Sequence, residues 1–187
     1  MYYSFHFSLT YIRKGIKNMN FTVRPATKED YRGICDVFTE LDSVHHELLP
    51  EVYCETQGPA RSEEYIFSII DNEEAAIFVA ESDKEIIGLV HIYIQETPPL
   101  PIVVPQRYSM IDNLIVKSKF RHSDAGRILI EKAHEWSSGK GVKQVALVIW
   151  EFNRGAIEFY EKIGYRTVSR RMGISLNDDN LSRSETL

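Results

Sequence analysis

The stretch Asn153 to Tyr165, NRGAIEFYEKIGY, has the spacing of a short helix with a marked beginning and end. Asn153 is a residue type that caps helix N-termini, and glycine, here Gly164, commonly follows the last turn. The stretch therefore predicts a helix over Arg154 to Ile163. Its apolar side chains share helical spacing and are expected to pack into a core: Ala156, Phe159, Tyr160 and Ile163.

Upstream, the stretch FRHSDAGRILI, from Phe120 to Ile130, leads from a polar loop into another helix. The first N–H groups of a helix are unpaired and carry partial positive charge, so such a loop can hold phosphate. Arg121, His122 and Arg127 add side-chain donors. Asp124 opposes an anion if it points inward, but as an N-cap it would turn away and leave the N–H groups available. The alternative is an ordinary capped surface helix.

The rest of the chain mixes helices and strands without repeats. Thr27 and Asp30 have the spacing of a capping box, and Ser82-Asp83-Lys84 separates two apolar runs as a hairpin turn does. Four prolines between Glu96 and Arg107 predict a loop. The predicted order begins with a strand at Phe21 and Val23. Two helices follow: the first has Ile34, Val37, Phe38 and Leu41 inward, and the second starts near Ser62 with Tyr65, Ile66, Ile69 and Ile70 inward. After them come the hairpin AAIFVAES and EIIGLVHIYIQ, the strand YSMIDNLIV, the helix AGRILIEKAHEWSS, the buried strand KQVALVI, the helix after Asn153 and the strand YRTVSRRMGISL.

Composition limits the class of protein. The chain has 187 residues, of which 43% are apolar, enough for one globular domain with a substantial core. The formal net charge of −5 argues against nucleic acid as a partner. The two cysteines, Cys35 and Cys54, form no C-x-x-C pair, so neither a disulfide framework nor a metal site is predicted. No apolar run is long enough to span a membrane, and we expect a soluble, cytoplasmic protein.

The ends of the chain differ in character from its middle. Residues 1–18 alternate apolar and polar side chains from Ser4 to Tyr11, which is the period of a strand. Two interpretations stay open: an added N-terminal strand, or an upstream extension before a true start at Met19. The expected organisation is an extension over residues 1–18, one α+β domain over residues 19–176 and a polar tail over residues 177–187.

Together, the strand MIDNLIV, the loop and helix from Arg121, the strand VALVIW and the stretch from Asn153 to Tyr165 resemble the GNAT (Gcn5-related) N-acetyltransferase family. The pattern N-x-x-A-x-x-F-Y-x-x-x-G-Y is specific to it. The family's loop pattern is Arg or Gln, two residues, Gly, one residue, then Gly or Ala. This chain keeps Arg121 and Gly126 but has Asp124 in place of the first glycine.

The resemblance implies the GNAT acyl-CoA N-acyltransferase fold, a mixed and mostly antiparallel sheet flanked by helices, with acetyl-CoA as cosubstrate and no metal. It implies that Tyr160 protonates the departing thiolate and that Asn153 bonds the pantetheine arm or caps its own helix. Main-chain groups where two strands splay apart would face the pantetheine. The implied set for acetyl-CoA is Leu114, Ile115, Val116, Arg121, His122, Ser123, Asp124, Ala125, Gly126, Arg127, Asn153 and Ala156.

Several residues are candidates for the base that removes a proton from the amine. Asp112 lies two residues before Leu114 in the same strand and is the chosen candidate, acting directly or through water. His91 and the pair His45-His46 compete with it. A solvated strand residue and ordinary core or surface histidines remain the alternatives.

The expected acceptor is a primary amine on a small molecule or a peptide. By resemblance, the first two helices and the proline loop flank its cleft. Six acids and no Lys or Arg lie between Asp36 and Ala60, which favours a cationic amine such as a polyamine, an aminoglycoside or a protein amine. A solvated acidic helix face is the alternative. Whether the chain forms a homodimer stays open. Besides an enzyme, a catalytically silent acyl-CoA-binding regulatory module fits these features, because Asp124 departs from the family pattern.

Overall fold

A computed structural model describes residues 20–174. The proposed N-terminal strand and the polar tail lie outside the described residues. By its contacts the chain divides into two compact units, Met1–Val148 and Ile149–Leu187.

The first unit is built on a five-stranded sheet with the strands in sequence order. Neighbouring strands are antiparallel, except that the last two are parallel. This mixed, mostly antiparallel sheet with packed helices confirms the predicted α+β class. Its elements are β1 (Thr22–Pro25), α1 (Tyr31–Leu48), α2 (Glu63–Ile70), β2 (Ala75–Ser82), β3 (Glu85–Glu96), β4 (Arg107–Val116), α3 (Ala125–Gly139) and β5 (Val145–Leu147), with 3-10 turns at Lys28–Asp30 and Ser118–Phe120.

Local sequence signals place most of these boundaries. Before α1, the Asp30 carboxylate accepts a hydrogen bond from the Thr27 N–H at 2.8 Å, as a capping box requires. Ser62 caps α2 by accepting from the Tyr65 N–H at 3.3 Å. Asp83 and Lys84 have φ values of 49° and 65°, the left-handed conformation of a two-residue hairpin turn. The capping box and the hairpin were both predicted correctly.

The main core lies between the sheet and helices α1 and α2. Three of the four predicted inward residues of α1 are buried, and Leu41 packs against them. Tyr65 was wrongly predicted to point inward, since it is 48% exposed. α2 has only eight residues, and Ile66 and Ile69 alone are buried along its inner side. The core cluster comprises Ala26, Ile34, Val37, Phe38, Ile66, Ile69, Ile77, Val79, Ile86, Leu89 and Ile115.

β5 is shorter and less buried than predicted. It pairs over three residues at the edge of the sheet, and all three are only half-buried. Val148, which directly follows, is 88% exposed. The apolar run KQVALVI predicts a buried strand, whereas an edge position buries less of each side chain.

The second unit contains α4 (Arg154–Lys162), which begins after Asn153 and ends before Gly164 as predicted. The strand predicted from Tyr165 onward is not formed over residues 165–174. Val168, Met172 and Ile174 are exposed there. The prediction was wrong because β-branched and aromatic residues form a strand only where a neighbouring strand supplies hydrogen bonds. In the described residues, no helix is long and apolar enough to cross a membrane.

Candidate active site

One edge of β4 is paired over only part of its length. β5 pairs with Ser109 to Ile111, whereas β3 stays paired with β4 as far as Val116. Within residues 20–174, no strand covers the β5 side of β4 beyond Ile111. The last five residues of β4 therefore present an open main-chain edge.

The strand register shows which main-chain groups face this open edge. The Lys117 N–H donates to Ile87 O at 2.9 Å, so the groups of residue 117 point toward β3. Main-chain groups alternate along a strand, which directs those of Ile115 toward β3 and those of Leu114 and Val116 outward. Three residues are expected to face the pantetheine. Of these, Ile115 directs its main-chain N–H and C=O toward β3 and away from the open edge.

The β3 strand approaches β4 closely at this point. A Cβ atom on Gly88 would lie 2.6 Å from the Ile115 carbonyl oxygen. Real Cβ atoms do not come that close to a main-chain oxygen. The spacing of the two strands beside the open edge therefore requires glycine at position 88.

The loop before α3 is arranged differently from the sequence prediction. Asp124 has φ −73° and its side chain makes no capping bond. Its carboxylate instead lies 3.3 Å from Arg127 Nε. Ser123 supplies the cap, because its Oγ accepts from the Ala125 N–H at 3.3 Å and donates to Phe120 O at 2.7 Å. The left-handed residue of the loop is His122, with φ 62°.

Main-chain donors remain available at the start of α3. The first turn of the helix closes with the Ile128 N–H donating to Asp124 O at 3.0 Å. Within the described residues, the N–H groups of Gly126 and Arg127 donate to no acceptor, as expected for the start of a helix. Arg121 lies nearby, with Nε 3.2 Å from Val116 O and a guanidinium nitrogen 3.5 Å from Glu40.

In the second unit, α4 holds Asn153 and Tyr160. The Asn153 side chain accepts from the Ala156 N–H at 3.1 Å and so caps the helix. Tyr160 is 8% exposed and packs edge-on against Phe159 and Tyr165, with ring centroids 5.2 and 5.3 Å away. Burial raises the pKa of Tyr160 well above its usual range and that of Tyr165 to about 12. Tyr160 therefore carries its proton at neutral pH.

Two of the competing base candidates lie together on β3 and β4. His91 is opposite Asn113 and Ile92 is opposite Ile111, so Asp112 is the extra residue of a β-bulge. His91 Nδ1 lies 3.2 Å from Asp112 Oδ2, and Asn113 donates to the same oxygen at 2.6 Å. The hydrogen bond from His91 is the main cause that lowers the pKa of Asp112.

The other two histidines take part in the packing at the end of α1. The His45 ring stacks on Tyr53 at 4.6 Å between centroids, and its burial lowers the pKa of the imidazole. His46 Nδ1 lies 2.8 Å from the Tyr53 carbonyl oxygen. Neither histidine contacts Asp112.

The acidic stretch after Asp36 is partly neutralised. Asp42 forms an ion pair with Arg61, whose guanidinium lies 4.0 Å from the centre of the Phe38 ring. The Glu40 carboxylate accepts from the Ser118 N–H at 2.6 Å. The other four acids of the stretch are exposed: Asp36, Glu47, Glu51 and Glu55. Sequence reasoning missed Arg61, although it is the first cation after the acidic stretch.

Known proteins resemble this chain in sequence and in fold. The model of the acetyltransferase (GNAT) family matches residues 41–165, more than half of the chain. An uncharacterised N-acetyltransferase of Bacillus subtilis, YhfO, is 26% identical over 143 residues, which are 76% of this chain and 88% of that protein.

Two solved structures share the fold. A tetramutant of the BH1408 protein from Bacillus halodurans superimposes with a TM-score of 0.76 at 22% identity, covering 82% of this chain and 99% of that one. The aminoglycoside acetyltransferase meta-AAC0020, from an uncultured soil metagenomic sample, gives a TM-score of 0.64 at 14% identity, covering 84% and 95%.

Proposed function

We propose, because this chain belongs to the acetyltransferase (GNAT) family, that it transfers the acetyl group of acetyl-CoA to a primary amine by direct attack in a ternary complex. The observation that carries this proposal is the open edge of β4, which ends close in sequence to the unpaired N–H groups at the start of α3.

The first unit supplies the groups that acetyl-CoA requires. The outward main-chain groups of Leu114 and the outward N–H of Val116 suit the amides of a pantetheine arm, which would extend the sheet as a strand does. The Val116 carbonyl already accepts from Arg121. The N–H groups of Gly126 and Arg127 suit the pyrophosphate, because a helix start favours negative charge. The reactive carbonyl then meets N–H donors at a strand edge, where the developing oxyanion can be stabilised.

Tyr160 is proposed as the acid that protonates the departing sulfur. Burial raises the pKa of Tyr160, so the phenol still carries its proton when the thiolate departs. No hydrogen bond of its hydroxyl is found within the described residues. The Tyr160 hydroxyl is therefore proposed to be available to a ligand.

The acceptor is proposed to be a cationic amine. Four exposed carboxylates on and after α1 remain without a basic partner among the described ion pairs, and they favour the approach of positive charge. The pair of Arg61 with Asp42 reduces this field at one point. We therefore expect the Michaelis constant for the amine to rise with ionic strength, because salt screens exposed charges.

Binding of CoA is tested by thermal unfolding with CoA, acetyl-CoA and pantetheine. A ligand that binds only the native state raises the melting temperature, and we expect the shift to be larger for CoA than for pantetheine, which lacks the pyrophosphate. Equal melting temperatures with and without CoA at millimolar concentration would contradict the proposed cosubstrate.

A further inference from the structure

We propose that His91 is the base that removes the proton from the acceptor amine and that Asp112 is a positioning residue that holds its ring. This inference rests on the proposed acetyl transfer and deepens it, since it replaces a single carboxylate with a histidine–aspartate pair.

The geometry of the pair assigns the two roles. His91 Nδ1 lies 3.2 Å from Asp112 Oδ2, so a proton on Nδ1 is donated to the carboxylate. A neutral imidazole carries one proton, and the bond at Nδ1 therefore leaves Nε2 with a free lone pair. The second donor to Asp112, the Asn113 amide at 2.6 Å, helps to fix the carboxylate.

The two side chains of the pair differ in burial. The His91 side chain is 7% exposed and that of Asp112 is 44% exposed. His91 Nε2 makes no hydrogen bond within residues 20–174. Nε2 is therefore the ring nitrogen left for a substrate, while burial holds the ring in place.

The β-bulge explains why the two side chains meet. In a regular ladder, residue 112 would point to the sheet face opposite that of its neighbours 111 and 113. The extra residue changes this alternation and re-aims one side chain, as bulges beside functional sites often do. The bulge also lies directly before the open edge of β4, where the reacting carbonyl is proposed to bind.

The charged and titratable groups around the pair come from α2, β3, β4 and the segment before α2. The Tyr93 ring lies 6.0 Å from that of His91. Burial raises the pKa of Tyr93, and the charges of Asp112, Tyr108 and Tyr65 add to this effect. Arg61 is near enough to lower the pKa of Asp112 by its charge. Asp112 is thus ionised, and Tyr93 is neutral, over the physiological pH range.

The substrate ammonium gives one proton to His91 Nε2, directly or through a water molecule, and becomes a neutral amine. Its nitrogen lone pair forms the new C–N bond to the thioester carbonyl, and the C–S bond breaks with its electrons on sulfur. The nitrogen loses its second proton, and the thiolate takes up one proton as it leaves. His91 returns its own proton to solvent.

The test compares His91→Asn and Asp112→Asn with the wild-type chain. Asparagine at position 91 keeps an amide N–H for Asp112 but lacks the distal nitrogen. We expect turnover in His91→Asn to fall about 100-fold or more, with the Michaelis constant for acetyl-CoA within about twofold, and the loss of activity on acidification to disappear. Asp112→Asn should lower turnover about tenfold or more while that acid limb remains, because the base is present but poorly oriented.

His134→Gln is the matched control. It removes a histidine of α3 that is roughly 14 Å along the helix from Ala125. It should leave both turnover and the acid limb of the pH profile unchanged. If His91→Asn instead retains wild-type turnover with its acid limb, the assignment of the base is overturned.

A second measurement is independent of turnover. Nitrogen-15 NMR of the wild-type imidazole should show the proton on Nδ1, and Asp112→Asn should shift the tautomer population toward Nε2–H. A wild-type ring protonated on Nε2 would overturn the pair even if every variant failed to fold. If the wild type binds acetyl-CoA but acetylates no amine, the proposed function fails, and the tautomer still decides whether the pair exists.

Discussion

At the scale of single residues, Tyr160 combines burial of its ring with a hydroxyl that makes no hydrogen bond within the described residues. We expect Tyr160→Phe to lower turnover by roughly 100-fold or more while acetyl-CoA still binds, because the ring packing is kept and only the proton donor is lost. Steady-state turnover and calorimetric binding measure the two effects.

Tyr165→Phe is the matched control for this change. Tyr165 packs edge-on against Tyr160, and burial raises its pKa to about 12 as well. It should retain turnover within a few fold. Equal losses in the two variants would mean that Tyr160 acts through packing alone.

Asp124 is the residue at which the chain departs from the family's loop pattern. Asp124→Gly and Asp124→Asn both remove the carboxylate and leave Arg127 paired with Glu131 alone. We expect both to tighten CoA binding about three- to tenfold at low salt. Only the glycine variant should lower the melting temperature. Asp124 has φ −73°, which any residue adopts, so glycine relieves no strain there and only adds conformational entropy to the unfolded chain. Weaker CoA binding in the asparagine variant would show that the carboxylate is part of the site.

At the scale of secondary-structure elements, the contact between β3 and β4 sets the position of the open edge. Gly88→Ala places a Cβ atom 2.6 Å from the Ile115 carbonyl oxygen and should cost about 1–3 kcal/mol of stability. Because the displaced residues include the proposed pantetheine edge, CoA affinity should fall as well. Urea unfolding and CoA titration measure the two effects.

Gly139→Ala is the control, since a Cβ atom there meets nothing within 4 Å. It lies at the last position of α3 and should leave both stability and CoA affinity nearly unchanged. A Gly88→Ala variant as stable as Gly139→Ala would contradict the close approach of the strands.

The junction of β1 with α1 should confer acid sensitivity on the fold. Asp30 accepts from both Arg24 guanidinium nitrogens at 2.6 and 2.8 Å, and this bonding lowers the pKa of Asp30. A lowered pKa in the folded state gives stability that is present above the unfolded pKa of 3.8 and is lost as pH falls through the lower folded value.

Asp30→Asn should therefore lower the free energy of unfolding by about 2 kcal/mol at pH 7 and much less below the folded pKa of Asp30. Denaturant unfolding at several pH values measures the difference. Asp36→Asn, an exposed acid on α1 without an ion pair among the described residues, is the control. A difference between wild type and Asp30→Asn that stays constant down to pH 2 would contradict this interpretation.

At the scale of the whole molecule, sequence predicted what depends on near neighbours. The cap at Ser62, the hairpin turn at Asp83 and Lys84 and the ends of α4 all follow from residue types a few positions apart. The family pattern located the loop before α3, although the cap there comes from Ser123 and not from Asp124.

The contacts that could not be predicted from the sequence are those that depend on the register between strands. His91 and Asp112 are 21 residues apart and meet because a bulge shifts the β3–β4 pairing by one residue. The open edge beyond Ile111 depends on how far β5 pairs, which its apolar residues do not specify. Arg61 likewise neutralises Asp42 across a loop that carries no local signal for the contact.

The central claim is that this family member acetylates amines with acetyl-CoA. The most direct test incubates the protein with acetyl-CoA and a panel of polyamines, aminoglycosides and peptides, and follows both the amine products by mass spectrometry and the released thiol. We predict at least one acetylated amine, formed in equal amount with free CoA and lost in Tyr160→Phe. Saturable binding of acetyl-CoA with no acetylated amine in any member of the panel would contradict the claim and indicate an acyl-CoA-binding module instead.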